Sequence, residues 1–372
     1  MKSFTKILSA ILCFGLLGFV SSPLSAQNAV AQPQKIILDT DFVMPPQDDS
    51  MALMLAIKSP ELQLLGVTTV AGNDTMQRAT NDALRELEIA GRTDIPVYRG
   101  ANRPLVHENT DWSRTWGHFL CCRDINVLPD AQTTPTPPGG FAKRLAEKES
   151  AVDFIIRTVN ANPGEITLIA IGPLTNVATA IRQEPGLAQK IKKIAIMGGI
   201  LASLPGEGRG NERQNTEFNF WVDPEAAYIV LRSGVPISLT PLNVTAKTNF
   251  SKYWFDKVID ANTPLTNLMK ELMASRYTGE NVNEGHPMHD QLTVASVIDP
   301  TLVKSVDIYV DVDINHGPDY GAAVGWSRLT DNDATDDIKV WPNWPGAKKI
   351  SVQYDVDNER FMKLFYERVT SK

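Results

Sequence analysis

A single α/β domain built around a mostly parallel central sheet is predicted by three features of the chain. Short continuous apolar runs alternate with stretches of helical period. Polar residues recur just after the apolar runs. Setting the N-terminus aside leaves roughly 340 residues, enough for one large domain.

The elements follow in order. Ile36-Ile37-Leu38 reads as a buried strand, with a helix over Asp48 to Lys58 behind it. Leu62 to Val70 is the next strand, followed by a helix over Asp74 to Gly91 and a short strand over Ile95 to Tyr98. The alternation resumes with a helix over Ala151 to Asn160 and a strand over Ile166 to Ile171. A helix over Leu174 to Arg182 and a strand over Ile194 to Met197 continue it. Continuous apolar strands separated by helices describe a Rossmann-like sheet covered on both faces. Such sheets bind ligands beyond the carboxyl ends of their strands. Asp39-Thr40-Asp41, Gly72-Asn73-Asp74, Gly172-Pro173 and Gly198-Gly199 all fall there, so the active site is expected on that rim. Val106 to Gly140, which holds Trp112, Trp116 and His118, breaks the pattern and reads as a long loop near the rim. No repeat or linker divides the chain.

Residues 1–31 have the three parts of a secretory signal peptide. Lys2 and Lys6 precede an apolar run from Ile7 to Val20, and small residues then lead to Ala26, Ala29 and Ala31. Cleavage is expected after Ala26 or Ala31, leaving a domain over 32–372 in the periplasm or outside the cell, free of the membrane. The apolar run is short for a membrane span. The net charge of −7, without any Lys/Arg-rich block, argues against nucleic acid or an anionic membrane as partner. Beyond the leader only Cys121 and Cys122 remain. Adjacent cysteines are neither a disulfide framework nor a zinc motif.

Three polar clusters carry the candidate chemistry. Asp39, Asp41, Asp48 and Asp49 sit at a strand end and the helix start after it. Carboxylates so close repel unless a cation or protons intervene, and an all-oxygen donor set suits a hard cation. Asp48 and Asp49 also suit a helix N-terminus, so this cluster alone leaves capping and metal binding open. The second cluster is Asn211 with Glu217-Phe218-Asn219, whose side chains suit several hydroxyls of one sugar or the backbone of a polar loop. Asp223-Pro224 behind it reads as a helix cap with proline in the first turn. The third is His289-Asp290, opening a helical stretch that runs to Ile298.

Taken in order, these pieces resemble the inosine–uridine-preferring nucleoside hydrolase family. The matching segments are Asp39-Thr40-Asp41 with Asp48-Asp49, Val70 to Asn73, Ile171 to Asn176 and Met197-Gly198-Gly199. They continue with Asn211, Glu217-Phe218-Asn219, Asp223 to Ala227, Pro241 to Thr245 and Met288-His289-Asp290. The resemblance covers nearly all of the chain beyond the leader. It implies the nucleoside hydrolase fold and cleavage of a ribonucleoside to free base and ribose. It also implies one calcium ion (Ca2+) held by Asp41, Asp49, Asp290 and the backbone carbonyl of Thr175. Asp48, Asn73, Asn211, Glu217 and Asn219 would then hold the ribose. Asp41 would take a proton from a calcium-bound water, and His289 would assist the departing base. A dimer or tetramer is likewise implied. One segment departs from the family pattern: Phe42 to Gln47 is longer than its counterpart and lacks glycine. Asp48 and Asp49 are still expected to reach the site, because the helix pattern after them is intact. Two rivals stand beside the enzyme: a calcium-dependent nucleoside or ribosyl-binding protein with little turnover, and a phosphohydrolase using Asp39 as nucleophile. The second lacks a glycine-rich phosphate cradle.

Overall fold

The computed structural model describes residues 32–106, 136–205, 209–279, 285–325, 327–329, 338–340 and 345–371. The signal peptide over 1–31 lies outside them, as do His107, Trp112, Trp116, His118, Cys121 and Cys122.

The chain opens with strand β1 (Gln34–Thr40), helix α1 (Asp48–Lys58), β2 (Leu62–Thr69), α2 (Met76–Ile89) and β3 (Val97–Arg99). It continues with α3 (Ala151–Ala161), β4 (Thr167–Ala170), α4 (Thr175–Gln183) and β5 (Lys193–Met197). Then come α5 (Phe218–Val222), α6 (Pro224–Arg232), β6 (Ile237–Thr240), α7 (Leu242–Thr245), α8 (Lys252–Ile259), α9 (Pro264–Met273) and α10 (His289–Ile298). The C-terminal part holds β7 (Val303–Val312), β8 (Ala323–Gly325), β9 (Ser327–Leu329), β10 (Ile338–Val340), β11 (Lys348–Val356) and α11 (Asn358–Val369).

Nine strands form one sheet in the order β3-β2-β1-β4-β5-β6-β11-β7-β8. The pairings from β3 through β11 are parallel, whereas β7 runs antiparallel to both β11 and β8. The antiparallel edge was not legible in the local pattern, because strand pairing between residues far apart leaves no mark on either segment. The described residues from Pro33 onward form one compact unit.

Successive side chains of β1 enter opposite layers. Ile36 and Leu38 pack with α1, α2, α10 and α11, while Ile37 packs with α3, α4 and α6. Helices α1 and α10 are buried along most of their lengths. They therefore lack a polar face, as helices enclosed on all sides do. From β1 the chain moves to β2 and β3 on one side, then crosses to β4 on the other. The carboxyl ends of β1 and β4 thus flank the point where the winding reverses, which is where open α/β sheets bind ligands.

Candidate active site

At the end of β1 the two aspartates do different things. Asp39 is fully buried, and its Oδ1 accepts hydrogen bonds from Thr68 Oγ1 at 2.5 Å and Asn176 Nδ2 at 2.8 Å. Burial pushes it up to about 6 against those two bonds. Its Oδ2 has no partner among the described residues, and like Asp41 it is not among the residues lining the cleft above it.

Asp41 is also fully buried, and its Oδ2 accepts the Asn73 N–H at 2.6 Å. Its Oδ1 has no partner among the described residues. Burial pushes Asp41 up to about 7, with the Asp48 charge adding to the effect. Two glycines make room for this carboxylate. A Cβ at position 72 would stand 2.7 Å from Asp41 Cγ and nearer still to Oδ2. One at position 172 would stand 2.7 Å from Asp41 Oδ1.

Two helix N-termini meet beside Asp41. Asp48 and Asp49 occupy the first turn of α1, and Asp290 the first turn of α10, where the helix dipole favours negative charge. One carboxylate oxygen from each of Asp48, Asp49 and Asp290 lies within 4.8 Å of the others. Asp49 is held from beneath by Thr40 Oγ1 at 2.5 Å and by Asn73 Nδ2 at 2.8 Å. Burial first, then the neighbouring carboxylates, pushes Asp49 and Asp290 well above the usual carboxylate range. No Lys or Arg lines the cleft among the described residues. Oxygen-only donors, an unpartnered Asp41 oxygen and crowded negative charge together fit a hard metal cation.

The cleft has a volume of about 300 Å³, at the lower end of the small-molecule range. Asp48, Asn73, His289 and Asp290 line it beside the cluster, and Asn211, Glu217 and Asn219 line it from the 210–219 segment. His289 Nδ1 bonds Thr245 Oγ1 at 2.7 Å, and burial lowers its pKa, favouring the neutral ring. Asn219 Nδ2 donates to the carbonyls of Ile171 at 3.1 Å and Met197 at 3.2 Å, joining the ends of β4 and β5. Glu217 caps α5 and accepts from the N–H groups of Asn219 and Gly199, each at 2.8 Å, and of Phe220 at 3.1 Å. Burial pushes it up to about 7. Asn211 Oδ1 accepts the Phe218 N–H at 2.9 Å.

Of the ten expected residues, Asp48, Asn73, Asn211, Glu217, Asn219, His289 and Asp290 line the cleft, whereas Asp41, Asp49 and Thr175 do not, and Thr175 is engaged elsewhere. Its Oγ1 donates to Asp223 at 2.6 Å, and its carbonyl accepts from Thr179 Oγ1 at 2.7 Å. Thr175 is the first residue of α4, and helical carbonyls point toward the C-terminus, away from this rim. Ile171, at the end of β4, lines the cleft instead. Asp223 acts as the expected cap, accepting the Ala226 N–H at 3.0 Å with Pro224 in the first turn of α6.

The long segment between Asp41 and Asp48 folds inward. Phe42 and Met44 enter the core under α1, and the Met44 N–H reaches Asp82 of α2 at 3.4 Å. Extra length is thus absorbed below the rim, and Asp48 and Asp49 stay with Asp290. Gln47 and Glu212 also line the cleft, although neither stood out in the sequence. Their adjacency to Asp48 and Asn211 was the available signal.

Comparison with known proteins identifies the family. Residues 36–363 match the family of inosine-uridine preferring nucleoside hydrolases. An uncharacterised protein of Schizosaccharomyces pombe is 38% identical over 343 residues, covering 90% of this chain and 98% of its own. The pyrimidine-specific ribonucleoside hydrolase RihB of Escherichia coli is 34% identical over 299 residues, covering 79% of this chain and 87% of its own. The structure of a purine-preferring ribonucleoside hydrolase from Gardnerella vaginalis superposes with a TM-score of 0.70 at 30% identity, over 91% of this chain and 98% of that one. With its fold, its rim of carboxylates and its matching length, this chain belongs to the inosine-uridine preferring nucleoside hydrolase family.

Proposed function

We propose that the chain hydrolyses the N-glycosidic bond of a ribonucleoside to free base and ribose, with a calcium ion held by Asp41, Asp49 and Asp290. The observation that carries this is the convergence of Asp48, Asp49 and Asp290 within 4.8 Å beside the unpartnered Oδ1 of Asp41, at the sheet's switch point. When bound, a hard cation supplies charge that orients a sugar diol and makes water more acidic. The rest falls to the chain's own residues. Asp41 Oδ1 accepts the proton of the attacking water. Breaking the bond builds positive charge on the ribose, and a carboxylate-lined cleft stabilises that charge more than the neutral substrate. Asn73, Asp48, Asn211, Asn219 and the spare lone pairs of Glu217 hold ribose hydroxyls. His289 aids the departing base when Thr245 donates to its Nδ1, which leaves the proton on Nε2 toward the cleft. The free base and ribose so released are salvage precursors.

Product release from inosine, uridine, adenosine and guanosine, with calcium and then with chelator, tests this. Free base is expected only with calcium, and the chelator should lower the rate by at least about 100-fold. Equal release in chelator would rule out the cation. Calcium-dependent stabilisation without release from any of the four would identify a binding protein instead.

We further propose that residues 1–31 are a signal peptide and that the mature enzyme works in the periplasm or outside the cell. The charged start, apolar run and small residues before Ala26 and Ala31 support this. Intact mass of the protein from the extracytoplasmic fraction should show an N-terminus at Gln27 or Gln32. A full-length chain in the cytoplasm would refute it.

A further inference from the structure

One carboxylate lining the cleft has no part in the chemistry above. Glu212 is half-buried, and its side chain has no hydrogen-bond partner among the described residues. It stands outside the Asp48, Asp49 and Asp290 group. Burial raises it to about 7 and only Arg213 pulls the other way. Its position is nevertheless fixed. The Glu212 N–H bonds the Thr216 carbonyl at 3.2 Å, and Gly210 N–H bonds that of Gln214 at 2.9 Å, closing the turn that carries it. Its neighbour Asn211 is pinned to Phe218, which also lines the cleft. Glu217, by contrast, is engaged with three backbone N–H groups. A partly desolvated carboxylate without a partner is costly unless a ligand supplies the missing donor.

We infer that Glu212 is a specificity-determining residue that accepts a hydrogen bond from a neutral donor on the bound riboside and turns away an anionic group at the same place. This rests on the ribonucleoside hydrolase function proposed above. A nucleoside offers such a donor at two places, an N–H of the base and the 5′-hydroxyl. A site built to accept a hydrogen bond discriminates strongly against an analogue that lacks the donor, because its own polar group is then left unpaired.

The test uses the mature, calcium-loaded protein and two substrate pairs that differ only in one donor. Adenosine against purine riboside removes the base amino group, and uridine against 5′-deoxyuridine removes the 5′-hydroxyl. The ratio of kcat/KM within each pair is measured for wild type, Glu212→Ala and Glu212→Gln. In Glu212→Ala one ratio should fall by about 10-fold or more, and the pair that responds identifies the donor. Glu212→Gln keeps an acceptor oxygen without the charge, so its loss should be smaller. Inhibition by the corresponding 5′-monophosphate, or by xanthosine, whose purine ring is largely anionic near neutral pH, should strengthen in both variants, on the side of the responding donor. Unchanged ratios, or equal losses for both members of each pair at an unaltered melting temperature, would overturn the inference. If wild type hydrolyses none of the four, the hydrolase function fails on its own. The same ratios, taken from dissociation constants by calorimetry, then decide the role of Glu212.

Discussion

Asp41→Asn is expected to lower kcat/KM by about 10³- to 10⁴-fold while leaving the fold intact. The substitution preserves shape, and an asparagine carbonyl can still accept the Asn73 N–H that holds Oδ2 at 2.6 Å. What disappears is the unpartnered Oδ1, the acceptor for a proton, together with one charge for a cation. The pH dependence of stability separates these effects from misfolding. Burial raises Asp41 from 3.8 to about 7. An acid whose folded pKa exceeds its unfolded value favours the folded state while protonated, and that advantage is lost as pH rises from about 4 through 7. Wild type in chelator should therefore lose stability over that window. Asp41→Asn, having no proton to give up there, should lose less and melt at or above wild type at pH 8. Calcium should reverse the order by stabilising wild type more. Melting curves with chelator and with calcium at pH 5 and pH 8 measure all of this. A variant with wild-type turnover would remove Asp41 from the mechanism.

Gly72→Ala should be nearly as damaging although it deletes no functional group. The new Cβ would lie 2.7 Å from Asp41 Cγ and nearer to Oδ2, inside any tolerable contact. Asp41 is fully buried and cannot swing into solvent, so either the carboxylate or the strand ends must shift. Misplacing a reacting group by about 1 Å costs on the order of 100-fold in rate. Overpacking of this kind costs about 1–3 kcal/mol in stability. Gly172→Ala presses on Asp41 Oδ1 from the other strand and should behave alike. Both variants are read by steady-state rate and thermal melting. Full activity in both would show that these glycines do not set the position of Asp41.

Much of this arrangement could be read from the chain before its coordinates, for identifiable reasons. Helix α1 begins and ends where expected, because Asp48-Asp49 and Lys58 mark its ends in the sense the dipole prefers. The parallel strands were visible as apolar runs because both faces are covered. Strand β3 falls later than expected, at Val97–Arg99, because Ile95 is buried in the turn before it. The antiparallel edge of β7 and β11 was not visible, since its pairing joins residues such as Val310 and Lys348. Side chains with distinctive chemistry, such as Asp290 and Asn219, could be placed at the cleft from their motifs. Thr175 does not line the cleft, and the direction of its carbonyl is a property of the backbone that its motif does not display. Glu212 was passed over because a lone glutamate on a polar loop is ordinary until it proves half-buried and unpaired.

The inward path of Phe42 to Gln47 has a bearing on how such enzymes diversify. Asp41 follows directly on a strand and Asp48 and Asp49 open a helix, and the connection between them takes up its extra length in the hydrophobic interior. A change of length here can be taken up below the rim, while residue 47, which lines the cleft, can vary there. A lineage, or a laboratory library confined to position 47, can explore ligand preference while the buried residues before it hold the frame in place.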